Sequence, residues 1–358
     1  MSRFIQIHLL TAYPPANLNR DDQGRPKTAK MGGVDRLRVS SQSLKRHWRT
    51  SELFGQAMSG HLGTRTKRLG RGIYDRLIGA GVKDKPALAW AVTIAGEFGK
   101  NKKADKNDPL NELEIEQLVH IGPDEQAKID QLVATLVEEQ RAPEKDELDL
   151  LRESTSAVDI ALFGRMLASK PAYNIEAACQ VAHAISVHPV VIEDDYFTAV
   201  DDLNDGREDA GSSHIGETGF AAGLFYSYLC INREQLIENL NGDAKLADRA
   251  IKALIEAAIK VPPSGKQNSF AHQGYASYVL AEAGNQQPRS LSVSFLKPVE
   301  VRGLIDQDYL TQAVTAIRQQ YQNFDQVYGP CAERRYEICV GERQGAMSEL
   351  LDFVGGAV

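Results

Sequence analysis

The stretch that decides the fold reads N-R-D-D-Q-G-R-P-K at residues 19–27 and R-L-R-V-S-S-Q-S-L-K-R-H-W-R at residues 36–49. Arginine alternates with aliphatic residues over residues 36–39, which predicts a strand with both guanidinium groups on one face and the aliphatic groups in the core. Ser40 or Ser41 is a good N-cap for the helix that follows. The sequence therefore predicts a basic strand that runs directly into the start of a helix.

The predicted helix has a basic face and an apolar face. Lys45 and Arg49 lie four residues apart on one side, and Leu44 and Trp48 are paired on another. The free N–H groups of the first turn and the positive end of the helix dipole lie close to these cations. Such a surface suits a chain of phosphates, although the same pattern is also found in ordinary solvated amphipathic helices.

The distribution of charge matters more than its sum. The 358-residue chain has a formal net charge of −7, which by itself argues against a nucleic-acid-binding protein. Residues 20–76, however, contain 14 Lys or Arg against 5 Asp or Glu, a local balance of +9 that leaves −16 for the remainder. We therefore expect one surface to attract phosphates while the others repel them.

Composition excludes several other classes of protein. The sequence has no apolar run of about 18 residues, and its first residues lack the hydrophobic centre of a signal peptide. We therefore expect a cytoplasmic protein with no membrane partner. The four cysteines are scattered without a C-x-x-C pair, which favours reduced thiols over disulfides or a zinc site. No metal ion and no cofactor are expected.

Hydrophobic periodicity predicts a mixed α/β chain that is mostly helical between residues 73 and 184. Strands are predicted at residues 3–10, 187–192, 220–231, 275–283 and 291–296. Helices are predicted at residues 41–54, 86–98, 111–119, 124–139, 233–241, 244–260 and 309–321. Residues 17–33 are rich in Asn, Asp, Gly and Pro and are interpreted as a long mobile loop, and residues 352–358 as a frayed tail.

Three blocks of sequence give the chain a resemblance to a known family. The first is the opening stretch with N-R-D-D, P-K, G-G and R-x-R-V-S-S-Q-S-L-K-R, the second is V-D-I-A-L-F-G-R-M at residues 158–166, and the third is G-S-S-H-I-G at residues 211–216. In content and order they resemble the CRISPR-associated Cascade backbone subunit, the CasC type of type I-E systems. The resemblance covers most of the chain.

The resemblance implies an α+β fold with an RNA-recognition-like (ferredoxin-like) palm, an inserted helical fingers domain and an extended β-hairpin thumb. The implied boundaries are residues 1–57, 185–192 and 223–358 for the palm, 58–184 for the fingers and 193–222 for the thumb. The aromatic signature that RNA-recognition modules use to stack bases is absent from the central strands. Contacts to the RNA backbone are therefore expected to dominate.

The family implies a subunit without catalytic activity. Several copies would line up head to tail along a crRNA guide, hold its backbone and displace bases at intervals, so that the guide can pair with target DNA in antiviral defence. The implied partners are the crRNA, other copies of the chain, other Cascade subunits and the target DNA.

Matching positions in this sequence supply the candidate site residues. Those expected to contact the guide are Arg20, Lys27, Arg38, Ser40, Gln42, Lys45, Arg46, Arg49, His214, Lys266 and Gln267. Met166, Tyr196 and Phe197 are expected to act as an apolar wedge, because opening a base step costs a few kcal/mol that an apolar side chain partly recovers. Without the family, Met166 and Phe197 would be interpreted as ordinary core residues.

Two other functions remain open from the sequence. A metal-dependent nuclease could use Asp194, Asp195, Asp201 or Asp202 with His183 and His188, since paired carboxylates can hold two metal ions. These carboxylates fall in a segment expected to be exposed and mobile, and the two histidines miss the i, i+4 spacing of helical metal ligands. The other alternative is a lone RNA chaperone that binds as a monomer.

Overall fold

A computed structural model describes residues 2–199, 214–301 and 308–356 of the chain, without the side chains of residues 199, 214 and 215. Its strands are β1 (Phe4–Ala16), β2 (Thr28–Met31), β3 (Val34–Val39), β4 (Thr64–Thr66), β5 (Val119–Ile121), β6 (Cys179–Val181), β7 (Ala184–Ser186), β8 (Glu193–Ala199), β9 (His214–Asn232), β10 (Ala276–Gly284) and β11 (Arg334–Cys339). Its α-helices are α1 (Ser41–Arg49), α2 (Glu52–Ala57), α3 (Leu69–Gly79), α4 (Asp84–Gly96), α5 (Pro123–Glu139), α6 (Val158–Phe163), α7 (Arg233–Asn239), α8 (Ala244–Lys260), α9 (Gln267–Phe270), α10 (Tyr309–Tyr328) and α11 (Met347–Val354). The predicted α+β class is confirmed.

The chain divides into two units. Unit 1 comprises Met1–Phe54, Val181–Cys230 and Ile251–Val358, and unit 2 comprises Gly55–Gln180 and Ile231–Ala250. This division differs from the boundaries that the resemblance implies chiefly at residues 231–250, which the resemblance places in the palm and which group with unit 2.

Unit 1 is built on a large sheet whose strands follow the order β11-β10-β1-β9-β7-β3-β2. The pairs β10/β11, β1/β10, β7/β9, β3/β7 and β2/β3 are antiparallel. Strand β8 leaves this order and pairs with the first part of β9, from Glu193 opposite Phe220 to Ala199 opposite His214. The sheet therefore carries a two-stranded extension at the position where the sequence predicts the thumb.

Unit 2 is mostly helical, because its helices carry apolar residues at helical spacing. Helices α3, α4 and α5 enclose a core that includes Ile73, Trp90, Phe98 and Leu132. The helices predicted at residues 86–98 and 124–139 are confirmed within a few residues. No helix in the described part of the chain is long and apolar enough to cross a membrane.

Several predicted elements are wrong. Residues 291–296 form a 3₁₀ helix, Ser292–Phe295, instead of a strand. The predicted loop at residues 17–33 contains β2, which pairs with β3 in a hairpin. The helix predicted at residues 111–119 is reduced to the 3₁₀ turn Asn111–Leu113 and the start of β5. No strand forms at residues 187–192, which lie between the end of β7 and the start of β8. Strand β11 was not predicted, and α11 occupies residues assigned in part to the tail.

Arg36 is buried, contrary to the prediction that it shares an open face with Arg38. Its side chain has 0% exposure, and its guanidinium donates hydrogen bonds to the carbonyl oxygens of Ser186 at 2.9 Å, Phe295 at 2.8 Å and Met31 at 3.3 Å. The 3₁₀ helix that ends at Phe295 lies at this point of the sheet, which is why the alternation rule fails here. Burial lowers the pKa of Arg36 from its ordinary value.

We predict that Arg36→Met destabilises the protein by roughly 3 kcal/mol, because the substitution leaves buried carbonyl groups without a donor. Arg38→Met is the matched control, since the half-buried Arg38 lies two residues along the same strand. Urea denaturation of both variants measures the difference. Equal free energies of unfolding for the two variants would show that the hydrogen bonds of Arg36 do not stabilise the fold.

Candidate nucleic-acid interface

The first turn of α1 is tied to two distant segments. Ser40 is the N-cap, and its hydroxyl accepts a hydrogen bond from the N–H of Ser43 at 3.3 Å. The N–H of Ser40 donates to Oδ1 of Asn19, and that of Ser41 to Nδ1 of His183, both at 2.9 Å. Within the described residues, the N–H of Gln42 is the first-turn donor that has no partner. The hydroxyl of Ser40 thus caps the helix, and the backbone N–H of Gln42 is the group that can donate a hydrogen bond to a ligand.

His183 lies at this helix start, within reach of the charges of two predicted contact residues, Lys27 and Arg38. The pKa of His183 is lowered by partial burial and then by the positive charges of Arg38 and Lys27. Because Nδ1 accepts the N–H of Ser41, the neutral ring carries its proton on Nε2. Lys27 and Arg38 are therefore close enough to affect His183, which contacts the first turn of α1. The sequence indicates His183 only as a candidate metal ligand, and its contact with α1 is a finding of the structure.

The faces of α1 are as predicted. Leu44 and Trp48 are buried, with 6% and 2% exposure. Lys45 and Arg49 are half-buried and each interacts with other groups of the chain. Arg46 is exposed. The helix thus buries its apolar side and carries its cations on the more exposed sides.

The loop at residues 261–267 packs against the segment that precedes the opening motif. His47 and Ser264 are hydrogen-bonded, with Nε2 and Oγ 2.8 Å apart. Gly265 lies so close that a Cβ atom there would be 2.4 Å from the carbonyl oxygen of Leu18. Lys266 adopts a left-handed conformation with φ of 57°. The side-chain amide of Gln267 is buried, and neither of its polar atoms has a partner among the described residues.

A polar cleft of about 600 Å³ brings Arg20 and Lys266 together with Ser43 and His47. Arg20 is exposed and Lys266 is half-buried. Asp21 also lines the cleft, but its Oδ1 accepts the N–H groups of Gln23 and Arg25 at 3.0 and 2.9 Å. The structure thus joins two sets of predicted contact residues that are more than 200 positions apart in the sequence.

The β8–β9 hairpin exposes two aromatic residues. Tyr196 has 65% exposure and Phe197 has 43%, so the core interpretation of Phe197 is wrong. Phe197 lies opposite Gly216, and a Cβ atom at Gly216 would be 2.3 Å from Cζ of the ring. The phenyl ring therefore lies across the neighbouring strand, where only glycine leaves room for it. His214 pairs with Ala199 through its backbone, and its side chain lies outside the described residues.

The base of the hairpin is fastened to the opening loop. Nδ2 of the buried Asn17 donates to the carbonyl oxygens of Gly24 and Gly219, each at 2.9 Å. Arg25 and Asp194 form an ion pair at 2.9 Å, with each side chain more than 40% exposed. The segment that carries Arg20 and Lys27 is therefore held directly against the root of the hairpin.

Met166 belongs to unit 2 and is also exposed. Its exposure of 83% excludes the core interpretation for this residue as well. It borders a cleft of about 270 Å³ whose apolar lining includes Phe98, Ile115 and Leu118. Leu118 is 52% exposed. Unit 2 thus presents an apolar surface around the predicted wedge residue.

The residues proposed for a nuclease are not arranged as a metal site. Asp194 is paired with Arg25, and His188 uses both ring nitrogens, Nδ1 with the carbonyl of Pro189 at 2.8 Å and Nε2 with the N–H of Leu224 at 3.1 Å. Asp201 and Asp202 lie outside the described residues. Over residues 2–199, 214–301 and 308–356, no group of three or more His, Cys, Asp or Glu could hold a metal ion.

Residues 5–352 match the family described as CT1975-like protein. The chain belongs to this family. Two solved structures resemble this CT1975-like chain, each over 99% of both chains. One, described as "CRISPR RNA-guided surveillance complex, pre-nicking", has a TM-score of 0.83 and 28% identity, and the other, described as "CRISPR RNA-guided surveillance complex", has a TM-score of 0.62 and 25% identity. No curated protein sequence matches the chain. The resemblance to CRISPR-associated Cascade backbone subunits is confirmed.

Proposed function

We propose that this protein is a guide-RNA-binding backbone subunit of a CRISPR surveillance complex of the Cascade kind, in a type I-E system. The observation that carries the proposal is the full-length likeness to a chain of an RNA-guided surveillance complex, with a TM-score of 0.83 and 28% identity. The cationic surface around α1 supports it independently, because a phosphate chain is the ligand such a surface suits best.

We assign the palm, fingers and thumb to the ranges expected from the sequence. Elements β1, α1, β7, β9, α8 and β10 occur along the chain in the order β-α-β-β-α-β, with other elements between them, and the four strands lie in the sheet order β10-β1-β9-β7. This succession is that of ferredoxin-like folds, which supports an RNA-recognition-like palm. The paired strands β8 and β9 support the thumb, and helices α3 to α6 of unit 2 support the fingers.

The guide would run past the start of α1 with its phosphates held by charge and by backbone donors. The N–H of Gln42 and the Nε2–H of His183 can donate to phosphate oxygens, while Lys27 and Arg38 supply positive charge. Arg20, Lys266 and Gln267 would continue the contact in the polar cleft and its adjoining loop. None of these contacts depends on base identity, as a subunit that carries any guide sequence requires.

The exposed apolar residues would act on the base pairs. Apolar surface is exposed to solvent at Phe197, at the adjacent Tyr196 and at Met166. Core packing does not explain this exposure. We assign them to the displacement of bases at intervals along the guide–target duplex. Copies arranged head to tail would repeat this displacement, with other Cascade subunits completing a cytoplasmic particle that needs no cofactor.

We expect the affinity for RNA to rise with RNA length, and to fall steeply with salt because each bound subunit displaces counterions. The double variant Lys45→Ala/Arg49→Ala should weaken binding to every guide sequence by about the same factor, and reduce the salt slope by about 2 per subunit. Filter binding with guides of several lengths and sequences at graded salt concentrations measures both effects.

Lys103→Ala/Lys106→Ala is the control, because it also removes two positive charges, from exposed lysines of unit 2. Affinity that does not depend on RNA length would favour the lone RNA chaperone instead. An equal loss in the control would show that charge, and not the α1 surface, determines binding.

Phe197→Ala should leave guide binding within about 2-fold and reduce pairing with target DNA by about 10-fold, since an unstacked base loses its apolar partner. Gly216→Ala should reproduce part of this loss, because the new Cβ displaces the ring without removing it. Tyr328→Ala, at another exposed aromatic residue, is the control. Target capture by preassembled protein–guide complexes is the measurement, and an equal loss of guide binding would refute the division of roles.

We expect the assembled complex to leave complementary RNA intact in the presence of Mn²⁺, as a subunit without catalytic activity should. Gel electrophoresis of labelled RNA after long incubation detects any product. A product that disappears in Asp194→Ala or Asp202→Ala would establish the nuclease instead.

A further inference from the structure

Arg165, the residue before Met166, is buried in unit 2 and bound on several sides. Its side chain and that of Glu125 are 2% and 3% exposed, and Nη1 of Arg165 lies 2.8 and 2.7 Å from the two carboxylate oxygens of Glu125. Its Nη2 donates to the carbonyl oxygens of Arg152 at 2.9 Å and Tyr173 at 3.2 Å. One guanidinium therefore connects the start of α5 with the segments that carry Arg152 and Tyr173.

Glu125 is held equally firmly. Its Oε2 accepts the N–H of Gly122 at 3.0 Å, where it completes the cap of α5, and its Oε1 accepts the N–H of Arg152 at 3.0 Å. The carboxylate is thus a fixed partner, so the position of Arg165 is set by the start of a 17-residue helix. A guanidinium suits this task because its donors lie in one rigid plane.

The backbone on both sides of Met166 is also fixed. Arg165 and Ile175 exchange two backbone hydrogen bonds, at 2.9 and 3.0 Å. The N–H of Leu167 donates to Oδ1 of Asn174 at 2.6 Å, and the Leu167 side chain is 4% exposed. Met166 is therefore an exposed side chain between two immobilised neighbours. A side chain that only filled space at the surface would not need such support.

The ion pair is a poor explanation for stability alone. Buried pairs of opposite charge often contribute no more to stability than apolar residues of the same size, since both charges must be removed from water. Their clearest effect is to fix one arrangement among several. The arrangement fixed here is the loop that carries Met166.

We propose that Arg165, through Glu125, is a positioning residue for Met166 and holds it as a rigid post against the guide–target duplex. The inference rests on the proposed function, because the duplex is the ligand against which Met166 would be held. It predicts that the geometry of base displacement, and not affinity for the guide, depends on Arg165.

The test uses the full-length protein assembled on guide RNA and paired with target DNA that carries 2-aminopurine at one position at a time. Wild type should show bright positions at a regular interval, since 2-aminopurine fluoresces when unstacked. Met166→Ala should lower this signal about 10-fold. Arg165→Met should lower the fluorescence at these positions about 5-fold, and Glu125→Gln about 3-fold. Both variants should bind the guide with an affinity within about 2-fold of wild type.

Leu132→Ala controls for stability, because Leu132 belongs to the core of unit 2 and its side chain makes no hydrogen bond to Arg165 or Glu125. It should lower the melting temperature and leave the fluorescence pattern unchanged. Arg165→Lys, which keeps the charge and loses the planar fork, serves if Arg165→Met does not fold, and it should also reduce the signal.

A wild-type pattern in the Arg165 and Glu125 variants, with the signal lost in Met166→Ala, would overturn this inference and leave the proposed function intact. An equal loss in Leu132→Ala would overturn it too, since stability alone would then explain the effect. Wild-type protein that gives no regular pattern would overturn the proposed base displacement together with the inference.

Discussion

The burial of Arg36 is the constraint on which the rest of unit 1 depends. Its guanidinium supplies donors to carbonyl groups of β2, of β7 and of the 3₁₀ helix Ser292–Phe295, so this end of the sheet can be covered without leaving those acceptors unpaired. Strand β3 is thereby fixed, and Arg38 and α1 follow it in one orientation. Arg36 makes contacts inside unit 1, whereas the proposed RNA-binding surface begins two residues later, at Arg38.

Elements whose signal is local could be predicted from the sequence. Helix α8 has the predicted ends because its apolar residues repeat at helical spacing, and α1 buries Leu44 and Trp48 for the same reason. Residues 291–296 could not be predicted in this way. Their apolar residues alternate as in a strand, but Phe295 packs in the core of unit 1 from a 3₁₀ helix, and only the neighbouring sheet determines that.

The candidate site shows the same limit. Alternation places Arg36 and Arg38 on one face, but the partner that buries Arg36 is Phe295, 259 residues away. His183 reaches the helix start through a contact with Ser41 over 142 residues, so the sequence offered no reason to connect them. Met166 and Phe197 are exposed although their side chains are apolar, and only the family resemblance indicates this exposure.

Arginines bound to buried acceptors recur in this chain and connect segments that are distant in the sequence. The half-buried Arg289 binds the buried Glu282 of β10 from outside the sheet, much as Arg165 binds Glu125, and Arg335 binds Glu282 from the paired strand β11. Burial opposes the charge of Glu282, but hydrogen bonds from His8 and Arg289 outweigh it and hold its pKa well below the usual range, so the carboxylate stays ionised. A planar cation with five donors can bind carbonyls and carboxylates of several segments at once. A fold with long insertions needs such joints, because regular secondary structure cannot align loops that must present fixed side chains to a polymer.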